Sequence, residues 1–230
     1  LAAAMALVSP RQVTSGYFRN HLYVTLGLCA LAALLSRAIE GQSPWPAALA
    51  AVASYAGSAC WLYEQATAGR EMLAVVAARG VLGGGEGAGG GALGPLAAAQ
   101  TIASGAALGA VMAAMLLGHW YLNAPGMSLE PLRRLLGVAA AAVVAVAAGG
   151  AAGLSQALTA VSPASSWWLM LALRWSFGLA GVLVLLWMAR RTLDVPNTQS
   201  ATGILYVAVI GMFVGETMSL LLSAESVHPL

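Results

Sequence analysis

The chain has 230 residues, of which 60% are hydrophobic and only 8% are charged, and its mean hydropathy is +0.83. Soluble domains carry roughly 25% charged residues, so this composition indicates an integral membrane protein. The formal net charge of +2 comes from ten arginines and eight acidic residues, which are too few and too scattered to indicate a nucleic-acid partner.

The cysteine content and the amino-acid composition indicate the cellular location of the protein. The two cysteines, Cys29 and Cys60, both lie in apolar stretches, which excludes a disulfide framework and a zinc module. Abundant alanine and glycine, with arginine in place of lysine, are typical of a GC-rich bacterial genome. The predicted location is therefore the inner (cytoplasmic) membrane of a bacterium, with the lipid bilayer as the main partner.

The apolar part of residues 1–20 is far too short to span a membrane. We predict that residues 1–20 form an N-terminal interfacial segment. Residues 21–223 then contain six apolar stretches, and crossing a hydrocarbon core takes ~20 residues. Because spanning segments of this length must satisfy their backbone groups internally, the predicted fold class is all-α. The expected architecture is a polytopic bundle of about six transmembrane helices followed by a C-terminal tail at 224–230. The predicted spans are 21–38, 45–69, 95–122, 132–158, 165–189 and 199–223.

The connection between the second and third spans is unusual. Its segment MLAVVAA is too short to cross the membrane, and GGGEGAGGG is typical of a flexible linker. We predict a short interfacial helix near 71–81 and a flexible glycine-rich connection at 82–94. The alternative is that 71–82 extends the second helix into water.

An even number of spans predicts that both termini lie on one side of the membrane, which we name side A. The loops at 39–44, 123–131 and 190–198 then lie on the opposite side, side B. Arginines directly at helix ends on side B, such as Arg133 and Arg190, favour the cytoplasm for that side.

Two charged residues interrupt the apolar spans and are the first candidate site. Arg174 lies nine residues into the fifth predicted span, and Glu216 lies seven residues before the sixth ends. These positions correspond to depths of about 13 and 10 Å from side A, because a helix rises 1.5 Å per residue. Charges in hydrocarbon are seldom left unpaired, so the sequence predicts an intramembrane ion pair. Its role is open between locking two helices and serving a ligand or a proton.

Further polar residues are predicted near side A. Glu64 lies close to the end of the second span, His21 begins the first, and Gln100 begins the third. A polar layer drawn from several helices is what a vestibule for a quinone head group, a proton or a substrate needs, although interfacial snorkelling would produce the same pattern.

His119 ends the third span together with Trp120, Tyr121 and Asn123. A membrane haem usually takes two histidines at one depth. Because the topology puts His21 on side A and His119 on side B, we predict that these two do not ligate one haem. His119 and Tyr121 are instead candidates for contacting a cofactor edge or a partner subunit.

No catalytic signature such as G-x-S-x-G, H-E-x-x-H or a P-loop is present in the chain, so enzymatic activity is uncertain. The leading hypothesis is a membrane subunit of a larger energy-converting or electron-transfer complex, respiratory or photosynthetic, that contributes to a quinone or cofactor pocket. The cofactor is open between a quinone and a haem or pigment shared with a partner chain. The competing hypothesis is a small secondary transporter or channel that uses Arg174 and Glu216.

Overall fold

The computed structural model describes residues 1–39, 43–86, 94–124, 126–160, 165–195 and 197–225. All regular secondary structure in these residues is helical, which confirms the predicted all-α fold. The helices are α1 (Ala2–Ala6), α2 (Ser15–Ala38), α3 (Trp45–Leu62), α4 (Ala66–Glu86), α5 (Gly94–Asn123), α6 (Glu130–Ala160), α7 (Ser165–Leu173), a π-helical segment (Arg174–Gly181), α8 (Val182–Thr192) and α9 (Thr198–Glu225).

Five helices in the described part of the chain are long and apolar enough to cross a membrane, so the protein is a multi-pass membrane protein. α7, the π segment and α8 together supply one of these five helices. The candidate spans are Ser15–Ala38, Ala97–Asn123, Glu130–Ser155, Ser166–Thr192 and Thr198–Ala224.

The predicted second span, 45–69, is not one helix, because the chain reverses near its C-terminal end. α3 ends at Leu62, Glu64 adopts a positive φ of 56°, and α4 begins at Ala66 and packs back against α3. A non-glycine residue with positive φ makes this turn, so no glycine or proline marks it in the sequence. The segment predicted as an interfacial helix at 71–81 belongs to α4, which has 21 residues. Neither α3 nor α4 is among the five candidate spans.

Because the chain reverses between α3 and α4, α2 runs in the direction opposite to the predicted one. The indole Nε1 of Trp120, at the end of α5, donates to Thr14 Oγ1 at 2.9 Å, and Tyr17 Oη donates to the carbonyl of Ala113 at 3.4 Å. α2 therefore begins at the level where α5 ends, on side B. α9 runs the opposite way to α5 and ends on side A, so the start of the first span and the end of the last lie on opposite sides, not on one side as predicted.

The first residues are packed inside the bundle. α1 lies against α4 and α5, and Met5 is fully buried. Gly109 of α5 allows this contact, because a Cβ added there would lie 2.2 Å from the Leu1 nitrogen. The interfacial location of residues 1–20 remains a prediction, and Ser15–Asn20 form the first turns of α2. At the other end, α9 continues to Glu225. The remaining tail, with His228, and most of the predicted flexible connection, 87–93, lie outside the described residues.

Glycines bring α9 and the π segment into backbone contact. A Cβ added to Gly178 would lie 2.4 Å from the Cα of Gly215. Small residues that let helix backbones approach are the usual means of helix association in membranes. The contact between Gly178 and Gly215 lies one helical turn from Arg174, towards side B, and directly beside Glu216. It therefore fixes the distance between the two helices that carry the candidate site.

Candidate functional site

The side B end contains all four residues predicted to contact a cofactor, and its two histidines have different neighbours. His21 is buried, with Nδ1 2.5 Å from the carbonyl of Tyr17 and its ring 6.3 Å from that of Trp120. His119 is exposed, and its Nδ1 lies 3.3 Å from the hydroxyl of Tyr206 on α9. The ring of His21 therefore contacts its own helix and Trp120, whereas the ring of His119 contacts Tyr206 on α9.

The predicted separation of His21 and His119 by the membrane is wrong, because α2 begins on side B. The depth argument against a shared haem therefore fails, and the prediction that these two histidines do not ligate one haem remains untested. Among the described residues, no group of three or more histidine, cysteine, aspartate or glutamate side chains could hold a metal ion.

Tyr121 and Glu64 have local structural roles on the same side. Tyr121 is 3% exposed and its hydroxyl donates to the carbonyl of Ser128, which fixes the turn between α5 and α6. Glu64 is exposed in the turn between α3 and α4. The structure thus places Glu64 on side B, whereas the sequence predicted side A. The polar layer predicted for side A loses both Glu64 and His21.

Arg174 is the most unusual residue of the described structure. Its side chain is 1% exposed, and Nε, Nη1 and Nη2 have no hydrogen-bond partner among the described residues. It lies eight residues after Ser166, about 12 Å from the side A end of its span at 1.5 Å per residue. A buried donor left without a partner costs about 1–3 kcal/mol, and a charged one costs more. Such a group in the membrane interior is a functional-site candidate.

Glycine on α6 makes room for this guanidinium. A Cβ added to Gly150 would lie 3.2 Å from Nη2 of Arg174. Its neighbour Gly149 accommodates Gln100 of α5 in the same way, and Gln100 Nε2 donates to the carbonyl of Val146 at 3.2 Å. At Gly150, α6 therefore presents backbone rather than a side chain to the guanidinium of Arg174.

Glu216 faces Arg174 from α9 without touching it. The two groups interact electrostatically, and the hydroxyl of Ser104 on α5 is within hydrogen-bonding reach of the carboxylate. The ion pairs at 4.0 Å or less among the described residues join Asp194 to Arg133 and to Arg191, on side B. The predicted ion pair between Arg174 and Glu216 is not among them, so these two groups interact over more than 4.0 Å.

The backbone at Arg174 is irregular. The π segment begins at Arg174 and ends at Gly181, inside a helix that is α-helical on both sides. π-helical turns inside α-helices are frequent at functional sites because they redirect side chains. Here the segment turns Arg174 inward towards Gly150 and leaves Trp175 half-buried.

An apolar cluster covers the site towards side A. Trp167 of α7 and Leu222 of α9 are buried against each other, with Leu154, Met170 and Leu171 packed around them. These residues lie between the charged pair and the side A ends of α6, α7 and α9. A polar solute coming from that side would have to displace the cluster.

Sequence reasoning found Arg174 and Glu216 but missed Ser104 and Gly150. Ser104 follows Gln100 by four residues, which puts both on one face of α5 and was the available signal. In comparisons with known proteins, no protein-family model, no curated protein and no solved structure matches the chain.

Proposed function

We propose that this chain is a membrane subunit of an electron-transfer or energy-converting assembly in a bacterial inner membrane, and that it binds the head group of a quinone at Arg174. The observation that carries the proposal is the buried guanidinium whose three nitrogens lack partners in the described structure. A guanidinium has five N–H donors in a planar fork and accepts nothing, so its ligand must supply acceptors.

Quinone chemistry fits the neighbouring groups. The carbonyl oxygens of a quinone head are acceptors that a guanidinium can bind. The carboxylate of Glu216, which lies opposite Arg174, is a group that can hold a proton close to such an oxygen. Ser104 adds a hydroxyl next to that carboxylate. Arg174, Glu216 and Ser104 thus supply donors and a proton-holding group at one depth of the membrane.

The surroundings favour a ligand dissolved in the bilayer. The cluster of Trp167 and Leu222 separates the site from side A, and the large core cluster, which includes Leu179 and Met212, fills the bundle towards side B. A hydrophobic molecule can reach a site at this depth from the lipid, whereas a water-soluble molecule must pass these apolar layers.

A secondary transporter is the second candidate, favoured by the π segment. Transporter sites are often built at interrupted helices near the middle of the membrane. A transporter would need water to reach Arg174 alternately from each side, so the two candidates differ in the route to the site.

The test is equilibrium binding of a short-tailed quinone to the protein in lipid nanodiscs. Arg174→Met is compared with wild type, and Arg190→Met, which removes an exposed arginine on side B, is the matched control. Hydrogen bonds to charged groups contribute about 1.5–3 kcal/mol, so we expect affinity to fall by roughly 10-fold to 150-fold in Arg174→Met only. Equal affinity in all three proteins, or no saturable binding to wild type, would overturn the proposal.

A further inference from the structure

Four arginines lie together where α6 begins and α8 ends, on side B. Arg133 and Arg134 lie near the start of α6, and Arg190 and Arg191 lie in the last turn of α8. Hydrogen bonds join these two helix ends. Arg190 Nη1 donates to the carbonyl of Arg133 at 3.0 Å, and Arg133 Nη2 donates to the carbonyl of Leu193 at 2.8 Å. Two helices that are distant in sequence therefore bring their arginines to one place on the surface.

The acidic residues at these helix ends neutralise only part of the positive charge. Asp194 lies 3.6 Å from both Arg133 and Arg191, so one carboxylate is shared by one arginine of each helix. The other two arginines, Arg134 and Arg190, are exposed and have no acidic partner within 4.0 Å in the described part of the chain. An anion from outside the chain would complete the neutralisation of this group.

Arg134 has no internal structural role among the described residues. It makes no hydrogen bond and no ion pair there, and Glu130, the acidic residue one turn earlier on α6, forms no ion pair within 4.0 Å either. A guanidinium carries five N–H donors and no acceptor, so its partner must supply acceptor atoms. The five donors of Arg134 are therefore available to an anionic ligand.

Trp187 marks the membrane level of the arginine group. It lies one helical turn before Arg190, it is 59% exposed, and its ring lies 5.8 Å from Cζ of Arg191. Exposed tryptophans of membrane helices concentrate at the level of the lipid head groups. Arg190 therefore lies at the depth of the lipid phosphates, and Arg134 lies beside the backbone carbonyl to which Arg190 donates.

We infer that Arg134 and Arg190 bind the phosphate of an anionic phospholipid at side B. The planar fork of a guanidinium matches the oxygens of a phosphate group. Long arginine stems let two side chains from neighbouring helix ends reach one head group. Basic pockets between transmembrane helices bind anionic head groups in this way. The inference is independent of the proposed function, because Arg174 lies towards side A.

The experiment measures lipid binding to the delipidated full chain in a non-ionic detergent by native mass spectrometry. Phosphatidylglycerol, which is anionic, is compared with phosphatidylcholine, which has a phosphate but no net charge. One arginine near a membrane surface strengthens the binding of anionic lipid about fivefold, so two arginines predict a preference of roughly 25-fold for phosphatidylglycerol in wild type. Arg134→Gln should lower this preference about fivefold, and the double variant Arg134→Gln with Arg190→Gln should abolish it.

The matched control removes two exposed arginines elsewhere, by Arg37→Gln on α2 and Arg79→Gln on α4, and should keep the wild-type preference. The single variant Arg134→Gln keeps the test decisive if the double variant is damaged, because Arg134 makes no hydrogen bond or ion pair within the described residues. Equal affinity of wild type for the two lipids, or an equal loss of preference in the control and the double variant, would overturn the site. Displacement of phosphatidylglycerol by inorganic phosphate, beyond the effect of sodium chloride at equal ionic strength, would identify a site for soluble phosphate and would also overturn the inference.

Discussion

Replacing Arg174 by methionine should stabilise the ligand-free protein while it removes the ligand-binding group. Methionine is a flexible apolar residue that can fill the space of the long arginine side chain. The substitution takes a buried, unpartnered cation out of the core and leaves Gly150 and the rest of the wall in place. Most substitutions of a fully buried residue destabilise, so the expected sign is itself diagnostic.

The magnitude follows from two opposing effects. Three unpartnered nitrogens at about 2 kcal/mol each, the middle of the usual range, destabilise the wild type by about 6 kcal/mol. The variant loses the attraction between Arg174 and Glu216, which are not within ion-pair distance. That attraction is below about 4 kcal/mol, the value for two unit charges 4 Å apart at an effective dielectric constant of 20. The balance favours methionine by about 2 kcal/mol or more.

Equilibrium unfolding in mild detergent, followed by circular dichroism as denaturant is added, measures this difference. Arg190→Met serves as the control, because Arg190 is exposed and donates to the carbonyl of Arg133 on side B. We expect a change of no more than about 1 kcal/mol for the control, as for other surface substitutions. A loss of stability of 1 kcal/mol or more in Arg174→Met would show that the guanidinium has stabilising partners, and would refute the reasoning.

Three more predictions concern the contact of Gly178 with Gly215, the role of His119 and the membrane topology. Gly178→Ala should destabilise the protein by about 1–3 kcal/mol in the same unfolding assay, because its Cβ would lie 2.4 Å from the Cα of Gly215. Gly203→Ala places its Cβ near nothing within 4 Å and should be neutral, so equal effects of the two substitutions would contradict the close helix contact. His119→Ala should leave quinone affinity unchanged within twofold, since His119 contacts Tyr206 away from the Arg174 site; a tenfold loss would move the site to side B. Single cysteines at Gln12 and Asn123, in a chain without its native cysteines, should react with a membrane-impermeant reagent from one side, and a cysteine at Ser43 should react from the other; labelling of all three from one side would contradict the topology.

The all-α fold and its longest spans were predictable because they depend on composition and length alone. α5, α6 and α9 begin and end close to the predicted positions, since proline and glycine turns bound their apolar runs. The reversal at Glu64 was not predictable in this way. It depends on α3 packing against α4, and its sequence, CWLYEQATAG, continues an apolar run without a breaker. One missed turn inverted α2 and moved His21 from side A to side B.

The two charged residues of the candidate site were predictable from the sequence. Arg174 and Glu216 stand out from apolar surroundings, and helical rise gives their common depth. The gap between them was not predictable, because it depends on the rotation of each helix about its axis. That rotation is set here by the π segment and by the contact of Gly178 with Gly215. The position of a residue along a helix gives its depth in the membrane. The direction in which its side chain points depends on how the helices pack.

Binding of a membrane-dissolved quinone head group at Arg174 is tested most directly by mass spectrometry. The measurement identifies the lipid-soluble molecules that remain with the protein after gentle detergent extraction from its native membrane. We expect an isoprenoid quinone at close to one per chain in wild type, its loss from Arg174→Met, and its retention in Arg190→Met. Equal amounts of quinone in wild type and Arg174→Met, or none in wild type, would contradict it.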